Sequence, residues 1–430
     1  MEPRPEFEPT LKRELGLLEA TLCGVGIILG AGIYALVGKA AGMAGNGVWI
    51  SFLIAAVVAA FSGLSYAELS SVFPKAGAEY VYTKNAFGRR LAFIVGWMVI
   101  FSGIIAAPAV ALGFAGYLNA LIDAPIIVSA IAIIILLSFV MFIGVKESAW
   151  LAMVGTIFEA GGLILIIFIG IPYLGSVDYF ELPEFNGILA ASALIFFAFI
   201  GFEEMTRLSE ETKNPEKTMP KALIIAIAVS AVLYVLVAIS AISVLGWEKL
   251  GASEAPLAEV AAVGFGSDAF VLLSIIALFA TGNTVLLVMM AASRITFGMG
   301  RDKTLPSILG KIHKGKRTPW IAIAVVGIIS AMFVLLGEIE VVASITNYTV
   351  FVTFMAVNAA LIWLRYKKPD MERPFKTPIN IGWFPVLPVF GFLTSLAMLF
   401  YIGTEALIYG TSLLILGVIA YEVLERFKHK

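Results

Sequence analysis

Apolar residues run along this chain in blocks of roughly twenty, the length that carries an α-helix across the hydrocarbon core of a bilayer. Short polar connections separate the blocks, and together they predict helices over residues 17–42, 48–72, 91–122, 125–143, 150–174, 186–207, 220–245, 268–298, 319–336, 341–366, 383–402 and 406–423. That pattern is an all-α integral membrane protein of about twelve transmembrane helices, with connections too short for a sizeable extramembrane domain.

Two of the blocks are interrupted. The first contains Gly24, Gly26, Gly30 and Gly32 within nine residues. Glycine weakens a helix by roughly 1 kcal/mol relative to alanine, and unwound backbone survives in a membrane only where protein or a water-filled cavity satisfies it. The sixth block has Gly201 followed directly by Phe202, Glu203 and Glu204. The plain alternative is that such small residues only let helices approach closely.

Charge then orients the spans. Putting Met1–Arg13, charged and proline-containing, in the cytosol as a tail rather than a cleavable signal places 27 of the 29 basic residues on the inner side. Only Lys39 and Lys249 are left outside. Lys and Arg near span ends set orientation, and shifting the count by one helix destroys the alternation. Both termini are then cytosolic, as tails 1–16 and 424–430. The first broken helix enters from the cytosol and the sixth from outside. Units 17–174 and 186–366 would therefore have opposite topology, a five-plus-five inverted repeat, with helices over 383–423 added.

Composition agrees: 60% of residues are hydrophobic, 14% are charged and the mean hydropathy is +0.98. The one cysteine, Cys23, excludes an intrachain disulfide. With it, the two histidines, His313 and His429, offer no metal site of the usual kind. No cofactor fingerprint is present, because Leu29 breaks the G-x-G-x-x-G spacing and no strand precedes it. No nucleophile–histidine arrangement is available for an enzyme, and no nucleic-acid partner is expected.

Breaking a membrane helix exposes N–H groups on one half and C=O groups on the other. The half-helix N-terminus suits an anion. The N–H groups of Gly30, Ala31 and Gly32 are thus expected to bind a carboxylate, and carbonyls around Ala198 to Ile200 an ammonium. An α-amino acid carries both groups on one carbon.

Several stretches together resemble the amino acid-polyamine-organocation transporters, in their cationic-amino-acid-transporter-like branch. They are the helix 1 glycines; Tyr66-Ala67-Glu68-Leu69 with Phe73-Pro74 and Gly77-Ala78-Glu79-Tyr80-Val81-Tyr82; Gly96-Trp97; Phe196 to Glu203; Glu210 to Pro215; Ser293-Arg294; and Arg373-Pro374. The resemblance covers nearly the whole chain and implies secondary active transport by alternating access. By matching position it puts the substrate carboxylate at Ile28, Gly30, Ala31 and Gly32. The ammonium falls at carbonyls of Phe197, Ala198 and Ile200 beside Gly201, with Phe197 and Phe202 as gating aromatics.

Many members of that family carry a lysine in the fifth span, where sodium binds in sodium-coupled cousins. Aligning on Gly144 to Ser148 puts Glu159 there instead. An intramembrane carboxylate is costly and by default a functional candidate, so Glu159 is expected to carry a coupling proton or to ligate a cation; a static pairing with a buried donor is the alternative. Its expected neighbours, by fold analogy, are Thr281, Asn283 and Thr284. Glu203 either joins the coupling or pairs with Arg207, and Glu204 is expected to pair with Arg207. Glu19 and Arg294 are read as inner-gate or interfacial charges, and Glu68 and Glu79 as ordering the second inner loop. The expected function is proton-coupled amino acid transport at the plasma membrane. Sodium coupling, amino acid exchange or an amino-acid-binding sensor are the alternatives. The partners are the amino acid, the coupling ion and the lipid bilayer, with no oligomeric state implied. The accepted side chain is open between cationic and small neutral.

Overall fold

The computed structural model describes residues 13, 15–74, 78–144, 149–182 and 184–428, and leaves the side chains of 149–156, 207, 210 and 427–428 undescribed. The chain is built of helices α1 (Leu17–Ile28), α2 (Gly32–Ala44), α3 (Val48–Val72), α4 (Ala78–Phe87), α5 (Arg89–Ile122), α6 (Ile126–Ile143), α7 (Ala149–Gly170) and α8 (Phe185–Ile195). There follow α9 (Pro215–Leu245), α10 (Trp247–Ala252), α11 (Pro256–Phe265), α12 (Ser267–Arg301), α13 (Trp320–Val334), α14 (Ile339–Lys367), α15 (Val386–Met398) and α16 (Thr404–Lys428). A two-residue hairpin at Asn380–Ile381 and Phe384–Pro385 sits between α14 and α15.

Among the described residues eight helical stretches are long and apolar enough to cross a membrane, fewer than the expected twelve. The difference lies in broken and short helices: α1 stops part-way and α2 runs on into α3 as one stretch, the apolar part of α7 falls short at Ile157–Tyr173, α13 has 15 residues and α15 has 13. Leu136, Phe139, Phe168, Phe279, Ile328, Met332 and Ile415 stand exposed on the outer surface. So large an apolar belt fits hydrocarbon rather than water. Inside it, small residues let backbones meet. A Cβ on Gly63 would stand 2.5 Å from Ile227 Cδ1, drawing α3 onto α9, and one on Gly170 would collide with Ser240 Cβ.

The long α5 contains Pro108. Proline supplies no N–H to the carbonyl four residues back, and in a membrane that carbonyl needs another donor. Ser330 Oγ of α13 donates to Ile104 C=O at 2.7 Å. The proline therefore costs no unpaired backbone.

Four elements depart from the hydropathy reading. Helices α4, α10 and α11 lie in stretches read as connections; they are short or amphipathic, so no twenty-residue window detects them. The seventh apolar block was expected from residue 220, yet α9 begins at Pro215, its cap Asn214 at φ +47°. Proline is tolerated in a first turn, where its missing N–H has no helical partner, and the polar opening of α9 is invisible to a hydropathy window. On the same face Leu15 N donates to Glu211 C=O at 3.1 Å and Lys213 N to Leu15 C=O at 2.8 Å. That short parallel bridge ties the start of α1 to the segment leading into α9.

Candidate functional site

Two interruptions face each other in the middle of the bundle. Helix α1 ends at Ile28 and α2 starts at Gly32, leaving Leu29, Gly30 and Ala31 between them. Helix α8 ends at Ile195. It tightens into a 3-10 turn over Phe196–Phe199, opens at Ile200 with ψ 135°, turns at Gly201 with φ +123°, and resumes as a second 3-10 stretch over Phe202–Glu211.

The two breaks touch through backbone. A Cβ on Gly32 would stand 2.6 Å from Ala198 Cα, and one on Gly201 would stand 3.0 Å from the Ile27 carbonyl oxygen. These are the positions where glycine is required: Gly32 by contact, Gly201 by contact and by a left-handed φ.

The exposed backbone groups find partners on three other helices. Tyr234 of α9, fully buried, directs its hydroxyl at Ile28 C=O (2.6 Å) and Ala198 C=O (3.0 Å), one carbonyl from each break. Thr284 of α12 accepts from Ala31 N–H at 3.1 Å. Asn347 of α14, also fully buried, donates through Nδ2 to Ala193 C=O (2.7 Å) and Leu194 C=O (2.9 Å) at the end of α8. Phe197 C=O accepts from Ile200 N–H at 3.3 Å. Unpaired polar backbone in hydrocarbon costs several kcal/mol per group, so these side chains make the open segments tolerable. Sequence reading found neither Tyr234 nor Asn347. The sequence signal for each is a polar group inside an otherwise apolar run.

The aromatic residues Phe197 and Phe202 are both buried. Phe202 packs edge-on against Tyr66 of α3, with ring centroids 5.8 Å apart, and against Phe354 of α14 at 5.2 Å. Glu203 is buried below the break, where its Oε2 accepts from Gly201 N–H at 2.9 Å. The Arg207 side chain, the partner expected for Glu203 and Glu204, lies outside the described residues.

Glu159 projects from α7 and is 3% exposed. The Asn283 side chain of α12 lies beside its carboxyl, and its Oε1 makes no hydrogen bond to the described residues. Tyr34 of α2 donates to the Glu159 backbone carbonyl at 2.7 Å, and Tyr117 of α5 donates to Tyr34 C=O at 3.0 Å. Helix α2 is thus pinned to the turn of α7 that carries the carboxyl. Of the three expected neighbours, Asn283 is beside Glu159, Thr284 serves Ala31 instead, and Thr281 bonds back to Ala277 C=O at 2.7 Å in its own helix.

Other charged candidates lie toward the ends of the helices. Glu19 accepts from Gly16 N–H at 3.0 Å and closes the start of α1. Glu79 accepts from Tyr66 Oη at 3.3 Å. Glu68 at the end of α3 is fully buried and forms an ion pair with Arg365 of α14, whose Nε donates to Oε1 at 2.8 Å while Nη2 donates to Oε2. Arg373 Nε lies 3.4 Å from the same Oε1, and Thr377 N–H donates to Oε2 at 2.8 Å. Among the described residues, the loop that Glu68 orders is the one joining α14 to α15; residues 75–77 of the second inner loop, which it was also expected to order, lie outside the described residues.

A profile of the amino acid permease family matches residues 15–420. The chain belongs to the amino acid permease family. It is 32% identical over 445 residues to the branched-chain amino acid permease BcaP of Bacillus subtilis (strain 168), covering 98% of this chain and 95% of that protein. It is 30% identical over 402 residues to the methylthioribose transporter of the same organism, with 88% and 86% covered. Mouse cationic amino acid transporter 4 is 31% identical over 395 residues, with 84% of this chain and 61% of that protein covered. All three relatives are named as transporters or permeases rather than enzymes, and this permease is accordingly a multi-pass membrane protein.

Proposed function

We propose that this permease is a secondary active transporter of α-amino acids, working by alternating access as a proton-coupled symporter at the plasma membrane. The observation that carries the reading is the contact between the two helix breaks, which sets backbone donors of one helix beside backbone acceptors of another. The N–H groups at the start of α2, with the helix dipole behind them, suit the substrate carboxylate. Carbonyls of Phe197, Ala198 and Ile200 suit its ammonium, with Ile28 and Gly201 flanking both. The carboxylate would compete with Thr284 for Ala31 N–H, so binding exchanges one oxygen acceptor for a charged one.

Residues at the two breaks are mostly apolar, Ile28, Phe197 and Ile200 among them, which favours an aliphatic side chain over a cationic one. The name of the Bacillus branched-chain permease agrees. Phe197 and Phe202 serve as the aromatic gates. Grouping α1 with α2, and α8 with the two 3-10 stretches after it, gives twelve spans, two five-helix units at 17–174 and 186–366 of opposite topology, and two added helices. The basic residues then place both termini in the cytosol.

Glu159 supplies the coupling. A buried carboxyl with one oxygen unpaired among the described residues is costly as an anion, and a proton removes that cost. Its turn of α7 is bonded to α2 through Tyr34, so gain or loss of a proton acts on the helix that holds the substrate. Thermal-shift screening of the purified protein against the common amino acids and polyamines tests the binding half of this reading. Stabilisation by leucine, isoleucine or valine is expected. No stabilisation by any compound with an α-carboxylate overturns it, and stabilisation by lysine or arginine alone reassigns the side-chain class.

A further inference from the structure

On the outer side, in the proposed orientation, a cavity of about 390 Å³ lies between α2, α5, the α10–α11 segment and the start of α14. Its lining includes Ala35, Lys39, Gly113, Glu254, Ile339 and Glu340. Around it, α2 and the α10–α11 segment form one side, and α5 and the start of α14 the other. Helix α2 is joined to the α10–α11 segment: a Cβ on Gly38 would stand 2.5 Å from Leu250 C=O, and one on Gly251 would stand 2.8 Å from Gly42 Cα. Opposite them is α5. A Cβ on Gly113 would stand 2.6 Å from Ala35 Cβ and 3.6 Å from Ile339 Cδ1, and one on Gly116 would stand 2.7 Å from Glu254 C=O. No methyl group fits along that seam, which forms the floor of the cavity.

Lys39 is the cation at the seam. Its Nζ lies 3.4 Å from Glu254 Oε1, on its own side, and 3.6 Å from Glu340 Oε1 on α14, across the seam. Lys39 also sits seven residues after Gly32 on the same helix, so the rod that presents backbone N–H groups to the substrate at one end is tied to α14 near the other.

We propose that Lys39 and Glu340 form the latch of the outer gate, closing α2 and the α10–α11 segment onto α5 and α14. The proposal rests on the transport reading above. Glu254 holds the ammonium on its own side of the seam, and Glu340 carries the ion pair across it, beside the hydrogen bond from Tyr117 of α5 to Tyr34 C=O of α2. Releasing Glu340 loosens α2 against α5 and α14 at the outer end and opens the floor of the cavity toward the substrate site.

The test is accessibility from outside. Ala109 lies one turn deeper than Gly113 on the same face of α5 and is 1% exposed. In a Cys23→Ser background, Ala109→Cys reconstituted in proteoliposomes is labelled with a membrane-impermeant maleimide while leucine uptake is measured in the same preparation. Lys39→Met and Glu340→Gln are expected to raise the labelling rate about threefold, the scale of a partly exposed ion pair. Glu254→Gln is expected to leave the rate near background, and the reversed pair Lys39→Glu with Glu340→Lys to restore it. If Lys39→Met does not fold, Glu340→Gln and the reversed pair carry the test. Equal labelling of Glu340→Gln and the background, in a preparation that transports, overturns the latch alone. A background preparation that labels as expected but takes up no amino acid overturns the transport reading instead.

Discussion

At the scale of single residues, most of the site's geometry hangs on Tyr234. Its hydroxyl is shared between a carbonyl of each broken helix, and removing it leaves two buried acceptors short of a donor. Each such group costs about 1–3 kcal/mol. Tyr234→Phe is therefore expected to weaken apparent substrate affinity about tenfold, the equivalent of about 1.4 kcal/mol, as read by thermal shift against leucine concentration. Unchanged affinity would show that the bridge only packs. Gly201→Ala should act differently, because φ +123° and the nearby Ile27 carbonyl both reject a side chain. Backbone strain of that kind costs about 1–3 kcal/mol, so the variant is expected to melt several degrees below wild type. The glycines that permit the breaks were legible in the sequence. The side chains that satisfy them were not, since a lone tyrosine or asparagine in an apolar run gives no hint of which carbonyl it will meet across the bundle.

At the scale of elements, the ends of α3 and α14 and the loop after α14 are held by one buried carboxylate. Glu68 receives hydrogen bonds from Arg365 and from Thr377 N–H, with Arg373 alongside. Removing one partner from a buried pair strands the other charge, at about 3–5 kcal/mol. Glu68→Gln should accordingly lower the melting temperature of the purified protein more than Glu19→Gln, whose carboxylate only caps an exposed helix start. Equal melting of the two variants would contradict the assignment. Helix positions followed from hydropathy because twenty apolar residues in a row leave few alternatives in a membrane. The short α4, α10 and α11 escaped because their pattern is mixed. The Glu68 partners escaped because they lie about 300 residues away in the chain. The α10–α11 segment matters most of these, since it carries Glu254 to the seam that Lys39 latches.

For the whole molecule, an exposed apolar belt around the buried core marks the chain as a membrane protein, and the distribution of basic residues is the basis of the proposed orientation. A cysteine in place of Lys249, in a Cys23→Ser background, is expected to react with impermeant maleimide added outside intact cells, and one in place of Lys314 only after lysis. The reverse pattern would invert the topology and move the latch to the inner side. In the proposed mechanism a proton on Glu159 drives substrate held between two broken helices. Proteoliposomes with an inward proton gradient and no sodium measure it directly. Wild-type protein is expected to accumulate leucine above its external concentration, and Glu159→Gln to exchange leucine without accumulating it. Accumulation by Glu159→Gln equal to wild type, or wild-type accumulation that requires sodium and ignores the proton gradient, would contradict the account.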